Sequence, residues 1–234
     1  KLDNNGYYTY DSNSTYAYYN GGDEGGGDFA VYNGTYYAND RDGNRTNLTM
    51  GFFPFNQYDS TKHSVQGRED GYNHHFGLTM EADFKIPADR KVNNQDMIFT
   101  FAGDDDMWVF VDNTLVLDIG GIHRPIYGYI NFTTGEVYIK GQQGGSAHRT
   151  TLAKIFGNNW STLFGANTTH TINCFYVERG GQYSNLYLSF NLPVIPPVSV
   201  PVEKVWQDGQ ISHDNYSVEV ELYQTGSPLA RIRS

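Results

Sequence analysis

The sequence predicts an all-β protein, a sandwich or barrel with long loops and one short helix. Three observations carry that prediction. With 19 Tyr, 14 Phe and 26 Gly among 234 residues, the composition suits strands joined by turns better than helices. From Phe76 onward, apolar and polar residues alternate with a period of two, as half-buried strands require. Only one segment, TTLAKIFG, reads as a helix, starting at Thr150 or Thr151 and stopping at Gly157.

Residues 1 to 75 are rich in Tyr, Asn and Gly, and alternating pieces such as Phe29–Val31–Tyr32 fit short strands between loops. Within them, NDRDGNRTN sets Asp40, Asp42 and Asn44 around Gly43. That is half of a calcium loop without the remaining EF-hand ligands, so a plain turn is expected. FGLTMEADFKI then alternates up to Pro87. MIFTFAG leads into MWVFVDNTLVLDIGG, a hairpin turning at Asp112–Asn113, and GYINFTTGEVYIKG is a second hairpin turning at Thr134–Gly135. Trp108 and Phe110 interleave with Met107, Val109 and Val111, so one set faces the core, and core packing is the role expected of Trp108. THTINCFYVERGGQYSNLYLSFNL supplies two closing strands around a Gly-rich loop. The single cysteine, Cys174, sits at an apolar strand position and is expected in the core. It excludes an internal disulfide framework.

At Pro193 the character changes. Prolines at 193, 196, 197 and 201 make residues 193–201 an extended linker. Residues 1–192 form the main domain, and 202–234 open a further β-domain as a partial sandwich.

The net charge of −10 disfavours nucleic acid and anionic membranes as partners. It suits a cation and an uncharged partner such as a glycan. No apolar run reaches the length of a membrane-spanning helix. Sequons at Asn13, Asn33, Asn44, Asn47, Asn131, Asn159, Asn167 and Asn215 are read as a by-product of Asn/Thr-rich composition. No Ser/His/Asp order, nucleophile elbow or metal-hydrolase motif is present, so binding is expected rather than catalysis. The chemically pointed feature is the acidic triplet after Gly103. Asp104, Asp105 and Asp106 repel one another between two apolar runs, so they form either a solvated turn or a cation site. The all-oxygen, thiol-free donors suit calcium and argue against zinc or copper.

GDDDMWVFVDNTLVLDIGGIH, from Gly103 to His123, resembles the core signature of the PA14 superfamily, and more closely its bacterial fibro-slime branch. FFPFN at 52–56, HHFGLTMEADF at 74–84 and HTINCFYVERGGQYSNLYLSFNL at 170–192 extend the resemblance over about residues 5 to 192. VPVEKVWQDG resembles the first strand of Cna-B stalk repeats. The first resemblance implies Ca2+ held by two adjacent aspartates joined through a cis peptide, with sugar hydroxyls completing the coordination. Asp104 and Asp105 take the places of that pair, and Asp106 falls where the family often has Gly. In the late loop ERGGQYS, Glu178 stands where yeast-type members have Asn, and Gly180 and Gln182 would add carbonyls. Asp106, Trp108, Asp118, His123 and Tyr183 are candidate ligand contacts. Asp118 and His123 form either a polar cluster near the metal or a loop lock. Lys204 matches the isopeptide lysine of Cna-B repeats, but no partner strand falls within residues 202–234, so no such bond is expected there. The implied protein is an extracellular, cell-wall-anchored adhesin of Gram-positive type. It would bind glycans or glycoproteins on a host or neighbouring cell through calcium, or, alternatively, bind a host protein with calcium only stabilising the fold.

Overall fold

The computed structural model describes residues 2–21, 27–33, 36–39, 45–48, 51–55, 58–59, 64–65, 75–141, 145–180, 184–196, 219–224 and 227–233. The Asp40–Asn44 turn, Gln182, Tyr183 and Lys204 lie outside them. The chain divides into two units, residues 1–196 and 197–234. In the second, strands Glu219–Gln224 and Ser227–Arg233 pair as a hairpin.

The first unit is the all-β sandwich that the alternation predicts. A six-stranded antiparallel sheet runs in the order Tyr8–Asp11, Leu186–Phe190, Ile98–Gly103, Ile126–Asn131, Glu136–Ile139, His148–Thr151. A five-stranded sheet runs Thr114–Ile119, Asp106–Val111, Thr169–Glu178, Phe76–Lys85, Val194–Ile195. Phe99, Phe101 and Ile130 from the first sheet and Met107, Val109, Leu117 and Tyr176 from the second share one core. Phe101 and Tyr176 meet across it at 6.3 Å between ring centroids.

The inward set on Asp106–Val111 is Met107, Val109 and Val111, each fully buried. Trp108 and Phe110 are half-buried on the outer face, where Phe110 packs edge-on against Phe175 at 5.5 Å. The core role expected for Trp108 is therefore corrected. Both interleaved sets are apolar, so alternation alone allowed either solution, and the smaller unbranched and β-branched set won the interior.

The hairpin at Asp112–Asn113 forms with φ of 48° and 62°, the left-handed pair that two-residue turns between twisted strands prefer. Asp112 also accepts hydrogen bonds from Thr171 N–H (3.0 Å) and from His170 Nδ1 (2.6 Å). The second turn is held by Asn131, whose carbonyl oxygen accepts from Thr133 N–H and Thr134 N–H while its amide donates to Asp96. Gly135 there has φ +79°, and a Cβ would stand 2.8 Å from the Trp160 ring. The expected helix is Leu152–Phe156, with Thr151 Oγ accepting from Lys154 N–H and Gly157 closing it. A further single turn, Trp160–Leu163, is too short to leave a period in the sequence. Among the described residues no helix is long and apolar enough to cross a membrane.

Candidate metal site

The strands flanking the acidic triplet belong to different sheets. Ile98–Gly103 lies in the six-stranded sheet and Asp106–Val111 in the five-stranded one, so Asp104 and Asp105 form a crossover at one end of the sandwich. The two closing strands are likewise split, with Thr169–Glu178 in one sheet and Leu186–Phe190 in the other. Register then forces the two crossovers together. Gly103 sits opposite Leu186, and Asp106 sits opposite Val177. Residues 104–105 and the segment after Val177 must therefore meet.

They meet as a buried acidic cluster. Burial leaves residues Asp104 8%, Asp105 4%, Asp106 3% and Glu178 2% exposed, unusual values for acidic residues. The peptide bond between Asp104 and Asp105 is cis, as the family resemblance implies. Both carboxylate oxygens of Asp104 accept from Asn185, from its backbone N–H at 2.5 Å and its side-chain amide at 3.2 Å. The Asp104 carbonyl accepts from the Tyr176 hydroxyl at 2.7 Å. Asp105 accepts from Arg179 N–H at 2.9 Å, and Glu178 accepts from Gly180 N–H at 3.1 Å. Ser184, fully buried, shares a hydrogen bond with the Tyr176 hydroxyl.

Asp106 is treated differently. Arg179 contacts it through Nε at 2.6 Å and Nη2 at 3.0 Å, and Gly121 N–H adds a bond at 2.5 Å. This two-nitrogen clamp neutralises Asp106 and ties the loop after Ile119 to the loop after Glu178. Asp106 is thus a tether, occupied on both oxygens.

That arithmetic leaves Asp104, Asp105 and Glu178 as buried acids bonded to neutral donors, with no cationic side chain bonded to any of them among the described residues. Burial pushes the Glu178 carboxyl up to about 7, and the charges of Asp105 and Asp104 add to this against bonds from Ser184 and Gly180. Burial raises Asp104 as well. Among the described residues no three Asp, Glu, His or Cys side chains already converge as a metal-ligand cluster. The donor set nevertheless fits a hard divalent cation, being all oxygen and short of positive charge.

The remaining sequence candidates separate from this cluster. Asp118 is exposed on the outer face, opposite Trp108 in the ladder. His123 lies in the loop after Gly121, bonded through Nδ1 to the Arg124 carbonyl. Trp108 borders Gly120, at 3.2 Å from the position of a Cβ there. None of the three bonds to Asp104, Asp105 or Glu178. Arg179, Asn185, Tyr176 and Ser184 are site residues that the sequence reading passed over. Period-two alternation along THTINCFYVE does place Tyr176 on the same inward face as Glu178, so that signal was present for Tyr176.

Similar proteins were found in Dictyostelium discoideum. Protein psiB is 33% identical over 126 residues, covering 54% of this chain and 17% of psiB. Protein psiF is 29% identical over 153 residues, covering 60% of this chain and 18% of psiF. A shorter match, 41% over 54 residues, links the chain to protein psiC. The chain thus spans less than a fifth of the length of these relatives. No known family profile matches the chain, and no solved structure matches it significantly.

Proposed function

We propose that this chain is the ligand-binding part of a larger extracellular adhesin. Asp104, Asp105 and Glu178 would hold a calcium ion, with the Gly180 carbonyl as a further donor and Gln182 in the same loop. The observation that supports this most is the charge deficit, three buried carboxylates whose partners among the described residues are all neutral. Bound calcium would supply a Lewis-acidic face that orients vicinal hydroxyls of a glycan. The protein's own residues set the stage for that role. Asn185 and Tyr176 fix Asp104, Arg179 N–H orients Asp105, and the Arg179–Asp106 clamp holds the two crossovers in register. A net charge of −10 fits binding to an uncharged hydroxyl-rich partner outside the cell.

The low exposure of all three carboxylates, 2% to 8%, favours a second reading, in which calcium staples the crossovers and the partner is a protein. One experiment separates the two. A glycan array is screened with calcium, with a chelator, and with Asp105→Ala, alongside thermal melts. Sugar binding lost in both the chelated sample and the variant supports the lectin. A calcium-raised melting temperature with no glycan signal supports the staple and sinks the lectin. If calcium changes neither, both readings fail.

A further inference from the structure

The loop after Ile119 does more than anchor to Asp106. It forms one wall of a cavity of about 850 Å³, lined by His123, Arg124 and Lys140 together with Pro125, Tyr138 and Gly141. That volume lies in the range of small-ligand sites. Its charge is opposite to that of the whole molecule. The chain carries 26 acidic against 16 Lys and Arg residues, yet the described lining holds Arg124, Lys140 and a histidine and no carboxylate. Among the described residues neither Arg124 nor Lys140 enters an ion pair.

His123 adds a polar atom in want of a partner. Its Nδ1 lies 3.0 Å from the Arg124 carbonyl, which can only accept, so the ring proton sits on Nδ1. Its Nε2 is buried without a hydrogen bond, whereas buried polar nitrogens are ordinarily satisfied.

The cavity also adjoins the acidic cluster. Gly121, two residues before His123, donates to Asp106. Ile126, at the cavity wall, pairs directly with Gly103, the residue before Asp104.

We propose that this cavity is an oxyanion subsite for an acidic glycan, taking a carboxylate or sulfate ester of the sugar. Arg124 offers a planar fork that matches an oxyanion, and Lys140 a point charge. The inference deepens the glycan reading above and rests on it for the sugar, though not for the metal.

The test uses calorimetric titration of the full chain with three oligosaccharides of matched length: a heparin-derived sulfated one, an oligogalacturonate, and a neutral dextrin. Each is run with calcium and with a chelator. The variants are Arg124→Gln/Lys140→Gln and, as a charge-matched control, Lys85→Gln/Lys91→Gln. Acidic probes should bind about tenfold tighter than the neutral one, the loss expected for a removed charge-assisted pair. The first variant should erase that preference while its calcium-dependent melting shift stays, and the control should keep it. The ratio of sulfated to uronate affinity identifies the preferred anion. Acidic binding that survives the chelator but not Arg124→Gln/Lys140→Gln supports the subsite and refutes the cation-mediated reading. Calcium-dependent binding with equal affinity for neutral and acidic probes supports that reading and overturns the subsite. Equal loss in the control variant overturns it too, as does binding to none of the three.

Discussion

The strands Asp106–Val111 and Thr169–Glu178 run side by side, and an acidic group stands at each end of the pair, half-exposed at one and buried at the other. At one end Asp112 faces His170, with Nδ1 to Oδ2 at 2.6 Å. The second ring nitrogen of His170 meets Thr168 Oγ at 2.8 Å, and Phe164 stacks on the imidazole at 4.2 Å between centroids. Every polar atom there has a partner inside the chain. At the other end Asp104, Asp105 and Glu178 are far more deeply buried, and among the described residues their partners are amides and hydroxyls that carry no compensating charge. The same two strands thus carry a closed fastener and an open one. What separates them is the kind of partner the carboxylate meets, an imidazole ring of the chain at one end and neutral amides and hydroxyls at the other.

Substitutions at the two ends should therefore behave oppositely towards calcium. The largest effect is expected at the closed end. His170→Ala removes a buried, stacked ring from the core edge, lowering unfolding free energy by about 3 kcal/mol, by an amount equal with and without calcium. Urea unfolding in both conditions reads this, and a calcium-dependent penalty would break the comparison. Next, calcium at about a hundred times its dissociation constant should stabilise the wild type by about 2.7 kcal/mol. For a domain of this size that is a rise in Tm of roughly 5–10 °C. Asp105→Asn should abolish that rise. Smaller and of opposite sign, Glu178→Gln in chelator should raise Tm by roughly 2–4 °C, about 1 kcal/mol, because it removes a buried uncompensated charge, yet it should blunt the calcium response. A drop in chelator would mean that Glu178 is already compensated.

An effect confined to alkaline pH, and absent at neutral pH, lies midway along the strand. Burial pushes the Cys174 thiol up to about 12 from an ordinary value of 9.0. The unfolded chain releases that proton first, so the thiol's contribution to stability is intact below about pH 9 and lost as pH rises towards 12. The wild type should lose more stability over that window than Cys174→Ala. Native Cys174 should resist alkylation at pH 8.5 and react once the chain is unfolded.

Much of this was legible beforehand where the signal was local. Asp112–Asn113 announced its turn, Thr151 and Gly157 bracketed the helix, and alternation along THTINCFYVE sent Cys174 inward. The acidic triplet stood out because three like charges between apolar runs need a reason. What could not be read was non-local. Nothing near Gly103 says that the strands before and after the triplet belong to opposite sheets, since that depends on pairing with Leu186 and Val177. Arg179 gains its meaning only after that pairing delivers it to Asp106. Trp108 was misplaced because two apolar sets shared one strand, and neighbours distant in sequence decided which set went inside. His170 looked like one more alternating position until Asp112 and Phe164 arrived from elsewhere in the chain.

The turn at Asn131 carries a consequence for how the protein is made. Asn131 heads one of the N-x-S/T triplets, yet it is 7% exposed and its amide group is engaged with Asp96, Thr133 and Thr134. In a eukaryotic secretory host, oligosaccharide transfer acts on the emerging chain before such turns close. A glycan attached to that nitrogen would have to occupy space the folded turn fills with protein. Chains modified at Asn131 would be held back as unfolded, while Asn13, Asn159 and Asn167, all exposed, tolerate the same decoration. Yield from such a host is then set by a kinetic race at one asparagine between sugar transfer and turn closure.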